Sequence, residues 1–539
     1  MLHLCMDNSE FIKPLQDERP SLYADRLGNA YSTSMSKEHK KGKGQFFTPI
    51  EIADFMAQLA NPLNSEEISI LDPGCGASIL SCALVERLIA ESKQISSIRL
   101  VLYEIDKKLI PYTLSILEYL KEWCSERNVA MRYDLRENDF ILSNYKVLEQ
   151  HQSISLFEES NFEKFTFIIS NPPYFKLPKI DKRVKACEII TSGQPNIYAL
   201  FMAIASRMVE PEGQFIFITP RSFTAGNYFT AFRSFFFDQL RIKHIHLFVS
   251  RKDTFSRDSV LQETMILMGV PTSKGNHADS TIVVSSSHGI ADINSPESRS
   301  YHEHELIGKN TNQKVLHLPT SIMDEEIIML FKSWKHKFSD LGIKISTGPV
   351  VAFRALDFIV ENKSEEAEDL VPLYWLHNVV KMSVVWPIEK PKKGQHIINC
   401  EKSRSLLIPN KNYVLLRRFS AKDDKSRLIA APFMSAQSKS ELIGVENKVN
   451  YIYRVQGEFS KEEALGLAAL LNSKPFDIYF RTFNGNVNVS ATELRQMPMP
   501  PIEIIQSIGE RLSLTNDYSE ENINEIVLSF FNINCLTYD

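Results

Sequence analysis

The sequence Ile70-Leu71-Asp72-Pro73-Gly74-Cys75-Gly76-Ala77-Ser78 joins a short apolar run to a turn with two glycines and then to apolar residues at helical spacing. A buried strand that leads through such a turn into a helix is the first unit of a parallel α/β sheet. Glycines allow a ligand to approach the backbone, and a helix N-terminus offers free N–H groups to an anionic group. The stretch predicts a ligand-binding βα unit, although similar loops also close α/β strands for packing reasons alone.

Short apolar runs and amphipathic stretches alternate on either side of this unit, which is typical of a parallel sheet covered by helices. The predicted strands are residues 68–71, 98–103, 165–170, 214–219, 242–248 and 264–268. The predicted helices between them are residues 78–90, 109–123 and 198–209, the last ended by the turn residues 210–213. We therefore predict an α/β domain with a Rossmann-like, doubly wound, mostly parallel sheet.

The chain has 539 residues, which at roughly 100 to 200 residues per domain predicts more than one unit. Residues 271–299 are rich in Ser, Thr, Gly and His, which indicates a domain boundary or a surface insertion. We predict an N-terminal arm or helical lead-in at 1–43, a catalytic domain at 44–270 and a second domain at 271–539. The second domain lacks a βαβ repeat and is predicted to be mixed α+β. Its predicted elements are helices at 324–337 and 461–471, strands at 412–417 and 448–455, and a helical tail after residue 502.

Composition restricts the protein class. Hydrophobic residues make up 43% of the chain and charged residues 24%, as in globular proteins. The seven cysteines are scattered without a C-x-x-C pair, so we expect reduced thiols and no metal site. No run of about 18 apolar residues and no signal-peptide pattern occurs, which predicts a soluble, cytoplasmic protein with no membrane partner. The net charge of -5 means that any nucleic acid must be bound by local basic clusters.

A carboxylate follows the second predicted strand. Glu104 comes about 30 residues after the glycine turn, where the carboxyl end of that strand should lie. A carboxylate at this place can accept hydrogen bonds from both hydroxyls of a ribose. The alternative is a solvated residue at a strand end.

The segment Asn171-Pro172-Pro173-Tyr174 follows the third predicted strand. The amino group on an aromatic base is a poor nucleophile because its lone pair is delocalised into the ring. Two acceptors beside its hydrogens draw it toward a tetrahedral geometry. The Asn171 side-chain oxygen and the Pro172 carbonyl are suitable acceptors in a loop that prolines keep rigid, and Tyr174 can stack on a base. A Pro-Pro turn at a strand end is the alternative.

The order of motifs resembles that of the gamma-class N6-adenine DNA methyltransferases of type II restriction-modification systems, the Eco57I/PaeR7I-like modification methylases. The motifs are Gly44-Gln45-Phe46-Phe47-Thr48-Pro49, Asp72-Pro73-Gly74-Cys75-Gly76, Glu104, Asn138-Asp139-Phe140 and Asn171-Pro172-Pro173-Tyr174-Phe175. They cover roughly residues 43–268, and the C-terminal half is similar more loosely. The resemblance implies a class I methyltransferase fold, S-adenosyl-L-methionine as cofactor, and a DNA target-recognition domain at 271–539.

The resemblance also implies roles for single residues. Those that would bind the cofactor are Phe47, Thr48 and Pro49 at its methionine end, Asp72, Gly74, Cys75 and Gly76 at its amino-acid part, Glu104 at the ribose, Asp139 at the adenine, and Asn171 beside them. Those that would take the target adenine are Asn171, Pro172, Pro173 and Tyr174, with Phe255 of Asp253-Thr254-Phe255-Ser256 stacked opposite the tyrosine. Ala77 and Ile79 depart from the family pattern. Thr48 and Asp139 also fit ordinary cap or turn positions.

Basic residues near aromatics in the C-terminal half are the candidates for DNA contact, since arginine and lysine neutralise phosphates and arginine also reads base edges. They are Arg354, Arg417, Arg418, Lys422 and Arg481. A solvated charged face is the alternative for each.

Together with the motifs, the resemblance implies a methyltransferase that modifies N6 of a flipped-out adenine in double-stranded DNA without a metal and protects host DNA in a restriction-modification system. It leaves open a separate cognate restriction endonuclease as a further partner. The rival functions are methylation of a protein glutamine or an RNA base through the same Asn-Pro-Pro-Tyr loop, and a non-catalytic DNA-binding subunit with the same fold.

Overall fold

A computed structural model describes residues 12–36, 47–151, 162–193, 195–248, 264–272, 280–308, 313–360, 369–389, 393–420, 424–484, 488–531 and 533. The chain divides into two compact units, Met1–Thr320 and Ser321–Asp539. Two predicted site residues, Phe255 and Lys422, lie outside the described residues. Among the described residues, no helix has both the length and the apolar character needed to cross a membrane.

The first unit contains a nine-stranded sheet. Its strands are β1 (Glu67–Asp72), β2 (Ser97–Tyr103), β3 (Ala130–Arg136), β4 (Phe165–Ser170), β5 (Val209–Pro220), β6 (Leu240–Phe248), β7 (Thr264–Pro271), β8 (Thr281–Ser287) and β9 (Glu297–His302). They lie in the order β3-β2-β1-β4-β5-β7-β6-β8-β9. Strands β1 to β5 are parallel to one another, and β7 is antiparallel to β5 and β6. The predicted doubly wound, mostly parallel sheet is confirmed, and it contains the six predicted strands.

Helices cover both faces of this sheet. They are α1 (Pro20–Ser34), α2 (Ile50–Gln58), α3 (Ile79–Glu91), α4 (Ile110–Ser125), α5 (Phe140–Asn144), α6 (Lys182–Ala186), α7 (Ile197–Arg207), α8 (Thr230–Gln239) and α9 (Glu303–Leu306). Side chains alternate along β5, so that Phe215 and Phe217 pack with α7 and α8 while Ile216 and Ile218 pack with α1 to α4. The sheet is buried on both faces, which explains why its strands are continuous apolar runs.

The third predicted helix ends two residues early. Helix α7 stops at Arg207, and β5 begins at Val209 and includes the predicted turn at 210–213. The pairing of β4 with β5 shifts register between Phe165 and Phe167, which accommodates this start. A β carbon on Gly213 would lie 2.8 Å from the Thr166 carbonyl oxygen, so the glycine allows the strands to approach there rather than forming a turn.

The Ser- and Thr-rich segment that indicated a boundary or insertion contributes strands to the same sheet. Strand β8 pairs with β6, and β9 pairs with β8. Ser285 and Ser287 of β8 are buried where they meet a buried histidine: His246 Nδ1 lies 2.8 Å from Ser285 Oγ, and its Nε2 lies 3.1 Å from Ser287 Oγ. The first compact unit consequently continues to Thr320, past residue 270, where the sequence analysis ended the catalytic domain.

The second unit is mixed α+β, as predicted. Its strands are β10 (Ile343–Thr347), β11 (Ile359–Val360), β12 (Leu370–Tyr374), β13 (Val379–Val380), β14 (Ser383–Val384), β15 (His396–Ile398), β16 (Leu407–Pro409), β17 (Tyr413–Arg417), β18 (Ala430–Phe433), β19 (Leu442–Val445) and β20 (Val449–Arg454). Its helices are α10 (Ile322–Ser333), α11 (Lys461–Asn472), α12 (Lys474–Phe483), α13 (Ala491–Leu494), α14 (Ile502–Thr515) and α15 (Glu520–Phe531). The strands form sheets in the orders β10-β20-β17-β18, β11-β15-β12-β19-β16 and β13-β14.

Helix α14 is part of the core and not a tail, since Ile505, Ile508 and Leu512 are buried. It packs closely on α11 through one glycine from each helix. A β carbon on Gly466 would lie 1.8 Å from the Ile505 carbonyl oxygen, and one on Gly509 would lie 1.9 Å from that of Glu462. Only glycine permits this approach of two backbones.

We expect Gly466→Ala to destabilise the protein by about 1 to 3 kcal/mol through overpacking, net of the roughly 1 kcal/mol that alanine gains in helix propensity. Urea denaturation of the full chain measures this change. An unchanged or raised midpoint would show that the helices are not in backbone contact here.

Candidate active site

A cavity of about 310 Å³ lies where the chain leaves the carboxyl ends of β1 to β4. Its lining includes the following predicted residues: Phe47, Thr48, Gly74, Cys75, Gly76, Glu104, Asp139, Asn171 and Pro173. These residues come from separate parts of the sequence and meet because the strands are parallel and end at one edge.

The glycine turn forms one wall of this cavity. Gly76 has a φ of +54° and Ser78 has a φ of 57°, and α3 starts directly afterwards. The Cys75 backbone N–H donates to the Tyr103 carbonyl at 3.0 Å, which ties the turn to the end of β2. A β carbon on Gly74 would lie 3.5 Å from the Phe201 ring, across the space that the turn leaves open. At Gly74 and Gly76, which both line the cavity, the turn has only backbone to present to a ligand.

Glu104 lies beside the turn and is 8% exposed. Its Oε2 accepts from the Gly76 backbone N–H at 3.1 Å, and its Oε1 accepts from the Asp106 N–H at 2.7 Å. Burial raises the pKa of this carboxyl group. A carboxylate has about four acceptor positions, so acceptor capacity remains for a ligand hydroxyl beyond these backbone bonds.

Asp72 is fully buried beneath the turn and does not line the cavity. Its Oδ2 accepts from Ser81 Oγ at 2.8 Å. Burial raises the pKa of Asp72 to about 7, and the nearby Glu104 contributes in the same direction. A buried carboxylate with such a pKa responds to a cation bound near the turn.

Pro49 was predicted to line the cavity together with Phe47 and Thr48, but the cavity lining does not include it. It precedes α2, and its carbonyl accepts from the Ile52 and Ala53 N–H groups at 3.1 and 3.0 Å. The ring supplies the extended backbone that starts the helix, so its position is explained by local structure.

Asp139 lines the cavity and also caps α5, since its Oδ1 accepts from the Leu142 N–H at 3.0 Å. Its Oδ2 lies 3.7 Å from Arg183 Nη1. Arg183 forms a closer ion pair with Asp181, at 2.7 Å. The sequence allowed either a cap or a ligand contact for Asp139, and the structure places it where it can make both.

Asn171 is held by contacts on both sides of its amide. Its Nδ2 donates to Thr48 Oγ1 at 3.0 Å, and its Oδ1 accepts from the Tyr174 hydroxyl at 2.6 Å. The Tyr174 hydroxyl also lies 3.1 Å from the Ile218 carbonyl oxygen. These contacts fix the orientation of the amide relative to the cavity.

The rest of the Asn-Pro-Pro-Tyr segment divides between cavity and core. Pro173 and Phe175 line the cavity, whereas Pro172 and Tyr174 are buried and outside the lining. Tyr174 is 6% exposed and packs edge-on against Tyr198 at 6.3 Å between ring centroids. In this structure the tyrosine therefore supports Asn171 from behind.

Sequence reasoning did not single out several residues that line the cavity: Ile105, Phe140, Phe175, Arg183, Ile197 and Phe201. Phe140 and Phe201 pack together with ring centroids 5.2 Å apart. Phe140 and Phe175 directly follow predicted site residues, which was the one available signal. Ile105 likewise directly follows Glu104, whereas Arg183, Ile197 and Phe201 come from helices whose cavity contact depends on tertiary packing.

The predicted DNA-contacting arginines of the second unit differ in their surroundings. Arg354 is exposed, and its guanidinium lies 5.3 Å from the ring of Phe353, itself 72% exposed. Arg417 Nε donates to the Val379 carbonyl at 2.6 Å. The two others also have partners: Arg418 Nη1 donates to the Asn447 carbonyl at 3.1 Å, and Arg481 Nε pairs with Asp477 at 2.6 Å.

Comparison with known proteins identifies the family. A family model described as Eco57I restriction-modification methylase matches residues 88–255. Type II methyltransferase M.BsuBI of Bacillus subtilis is 34% identical over 476 residues, which is 88% of this chain and 90% of that protein. The chain belongs to the type II methyltransferases. Type II methyltransferase M.PstI of Providencia stuartii is 31% identical over 94% of this chain and 96% of its own length.

A solved structure of the type IIL restriction-modification enzyme MmeI in complex with DNA is also similar. It has 10% sequence identity and a TM-score of 0.49, over 95% of this chain and 72% of that one.

The cofactor of a type II methyltransferase is S-adenosyl-L-methionine, and the cavity of the first unit fits it. Gly74 and Gly76 line the cavity without side chains, so a ligand can approach the backbone of the turn there. Glu104 offers a buried carboxylate for hydroxyl groups, and Phe140 and Phe201 offer an apolar wall for a planar base.

Proposed function

We propose that this type II methyltransferase methylates N6 of adenine in double-stranded DNA and protects host DNA within a restriction-modification system, alongside a separate cognate endonuclease. The observation that carries the proposal is the position of Asn171. Its amide lines the cavity that contains the glycine turn and Glu104, and Thr48 and Tyr174 hold it from opposite ends. An acceptor fixed in this way suits a planar amine that must become a nucleophile.

In the proposed reaction, S-adenosyl-L-methionine supplies an activated methyl group on a sulfonium. The Asn171 oxygen, whose direction is set by the hydrogen bond from the Tyr174 hydroxyl, is the proposed first acceptor for the amine of the adenine. The Pro172 carbonyl is the proposed second acceptor. Together they localise the nitrogen lone pair. As the bond from N6 to the methyl carbon forms, the bond from that carbon to the sulfonium sulfur would break and leave a neutral thioether, and the proton lost from N6 would pass to solvent. The protein contributes by orienting the adenine amine toward the methyl group and by placing hydrogen-bond acceptors beside the amine.

A flipped-out adenine needs an aromatic surface in the site. Tyr174, with Phe255 opposite, is the proposed pair. Since Tyr174 is 6% exposed, its ring must be uncovered before a base can stack on it. Phe175 is half-buried, lines the cavity, and is a further surface for the base.

The cofactor roles proposed for the other predicted residues follow from their positions. We propose that Phe47 and Thr48 border the methionine end, that Gly74, Cys75 and Gly76 bind the amino-acid part through their backbone, and that Asp139 contacts the cofactor adenine. All of them line the one cavity. Pro49 and Asp72 are proposed to act indirectly, by starting α2 and by supporting the turn.

The second unit is proposed to recognise DNA. Arg354 has the exposed position expected of a residue that contacts DNA, next to an exposed phenylalanine. Arg417, Arg418 and Arg481 each engage a protein oxygen through part of the guanidinium. Since a guanidinium carries five N–H donors, Arg417 and Arg418 have further donors for phosphates or bases.

The experiment that tests the function offers double-stranded DNA, RNA and a glutamine-containing peptide separately to the protein with methyl-labelled cofactor. The proposal predicts label in DNA, and only when the DNA contains the recognised sequence, so genomic DNA of varied composition is the substrate. Label in RNA or peptide but not in DNA would favour the rival methyltransferase activity. Cofactor and DNA binding without any transfer would favour a non-catalytic subunit.

Cofactor binding is expected to depend on pH through Asp72. Its pKa of about 7 means that roughly half of the free protein carries a proton there at pH 7, and a larger fraction below that pH. A cationic ligand at the turn favours the ionised carboxylate, so binding releases this proton. Affinity should fall as the pH decreases below about 7, by up to roughly tenfold per unit, and should level off above about pH 8.

Calorimetric titration in buffers of different ionisation enthalpy measures this proton release at about pH 6.5. The Asp72→Asn variant, which cannot ionise, should bind with a smaller proton release and a flatter pH profile. Equal proton release by the wild type and this variant would exclude Asp72 as its source.

A further inference from the structure

The N-terminal helix α1 precedes all the motifs that define the cofactor site, and its sequence suggested only an arm or lead-in. In the structure, Tyr23, Leu27 and Tyr31 of this helix are buried in the core of the first unit. The hydroxyl of Tyr31 reaches Asp106, which lies next to the cavity residue Ile105 in the sequence. We propose that α1 is part of the cofactor site and that Tyr31 is a positioning residue, which holds Glu104 in place through Asp106.

The link from Tyr31 to the cavity consists of two short hydrogen bonds. The Tyr31 hydroxyl donates to Asp106 Oδ2 at 2.7 Å, and both residues are 1% exposed. The backbone N–H of Asp106 in turn donates to Glu104 Oε1 at 2.7 Å. The side chain of Asp106 is thus anchored to α1 while its backbone orients the Glu104 carboxylate.

Helix α1 also supports the glycine turn from the same side. A β carbon on Gly28 would lie 3.2 Å from the Ala77 β carbon and 3.3 Å from the Phe47 ring. The backbone of α1 therefore packs closely against these two residues, both of which line the cavity. The Tyr31 ring packs edge-on against Phe47 with centroids 6.0 Å apart. The turn is tied on its other side by Thr113 Oγ1, which donates to the Gly76 carbonyl at 2.8 Å.

The chemistry of these contacts indicates a role in binding and not in methyl transfer. A hydroxyl bonded to a buried carboxylate limits the movement of the residue that carries it. Loss of the hydroxyl would allow Asp106 to shift, and with it the N–H that orients Glu104. Cofactor affinity would fall, whereas DNA affinity and the chemical step would be retained. This inference rests on the proposed role of Glu104 as the ribose ligand.

The test compares two variants of the same helix, Tyr31→Phe and Tyr23→Phe. Tyr23 is also buried, and its hydroxyl donates to the Ile12 carbonyl at 2.9 Å, with no contact to Asp106. Each variant loses one buried hydroxyl and retains its ring. Isothermal titration with S-adenosyl-L-methionine gives Kd, and steady-state methylation gives KM for each substrate and kcat.

We expect Tyr31→Phe to raise the cofactor Kd about tenfold, the scale of one hydrogen bond to a charged group, and Tyr23→Phe to leave it within about twofold of the wild type. KM for the cofactor should rise in parallel, while KM for DNA and kcat at saturating cofactor stay near wild-type values. In an Asp106→Asn background, Tyr31→Phe should raise the cofactor Kd by a smaller factor, because the Tyr31 hydroxyl no longer donates to a charged group there.

Wild-type cofactor affinity in Tyr31→Phe would overturn the inference. Equal loss of affinity in both variants, in proportion to a lowered unfolding midpoint, would also overturn it, because it would show a purely structural role. Unchanged cofactor binding in Glu104→Gln would instead refute the role of Glu104 on which the inference rests.

Discussion

The Asn171→Ala variant is expected to transfer methyl groups about a hundredfold to a thousandfold more slowly than the wild type, the scale observed when a single transition-state hydrogen-bonding partner is removed. The amide oxygen is the proposed acceptor for the adenine amine, and Thr48 and Tyr174 fix its direction. Single-turnover transfer of labelled methyl to DNA measures the rate of the chemical step. The cofactor Kd should change by less than about fivefold, because the turn and Glu104 remain.

The matched control is Asn29→Ala on α1. Asn29 is half-buried, and its Nδ2 donates to Asp25 within the same helix at 3.0 Å. This variant should methylate at close to the wild-type rate. Retention of more than about a tenth of the wild-type rate by Asn171→Ala would contradict the proposed role of the amide.

The second large effect is expected on cofactor affinity. Glu104→Gln should weaken binding of S-adenosyl-L-methionine about 10- to 100-fold, because the amide has one acceptor oxygen where the carboxylate has two, and no charge. The Nε2 group of the glutamine would also face a backbone N–H of Gly76 or Asp106, each of which donates to the carboxylate. Isothermal titration with the cofactor, in the absence of DNA, measures the change.

Glu118→Gln is a suitable control for the loss of one carboxylate. Glu118 is exposed on α4, where it accepts a hydrogen bond from Tyr133 away from the cavity. Its substitution should change cofactor affinity by less than about twofold. If Glu104→Gln bound the cofactor as tightly as Glu118→Gln, the cavity would have no ribose ligand at this position.

Much of the first unit follows from local sequence. Apolar runs such as residues 165–170 predict buried strands because both faces of the sheet are covered, and parallel connection brings their carboxyl ends to one edge. That single rule accounts for the meeting of Gly76, Glu104 and Asn171 at one cavity. Predicting that these residues meet requires only the order of the strands and their parallel direction, not the positions of side chains.

Other strands could not be predicted because their burial depends on partners far away in the sequence. Strand β8 is rich in serine, which indicates a surface segment until Ser285 and Ser287 are seen to bond to His246. The role of the glycines in α11 and α14 likewise cannot be inferred from the local sequence, because they permit contact between two helices that are distant in sequence.

Within the candidate site, the sequence predicts which kinds of side chain are present but not how each side chain is oriented. The sequence predicts that Tyr174 can stack on a base, but not that its hydroxyl lies between Asn171 and the Ile218 carbonyl. Nor does it predict Tyr31, since its bond to Asp106 spans 75 positions. Such contacts depend on how α1 packs on the sheet.

The proposed function is tested most directly by identifying the methylated nucleoside. DNA treated with the wild-type protein and labelled cofactor is digested to nucleosides, which are separated and analysed by mass spectrometry, with Asn171→Ala as control. The account predicts N6-methyldeoxyadenosine as the labelled product, strongly reduced in the control. Label in a methylated cytosine, or N6-methyldeoxyadenosine formed equally by Asn171→Ala, would contradict it.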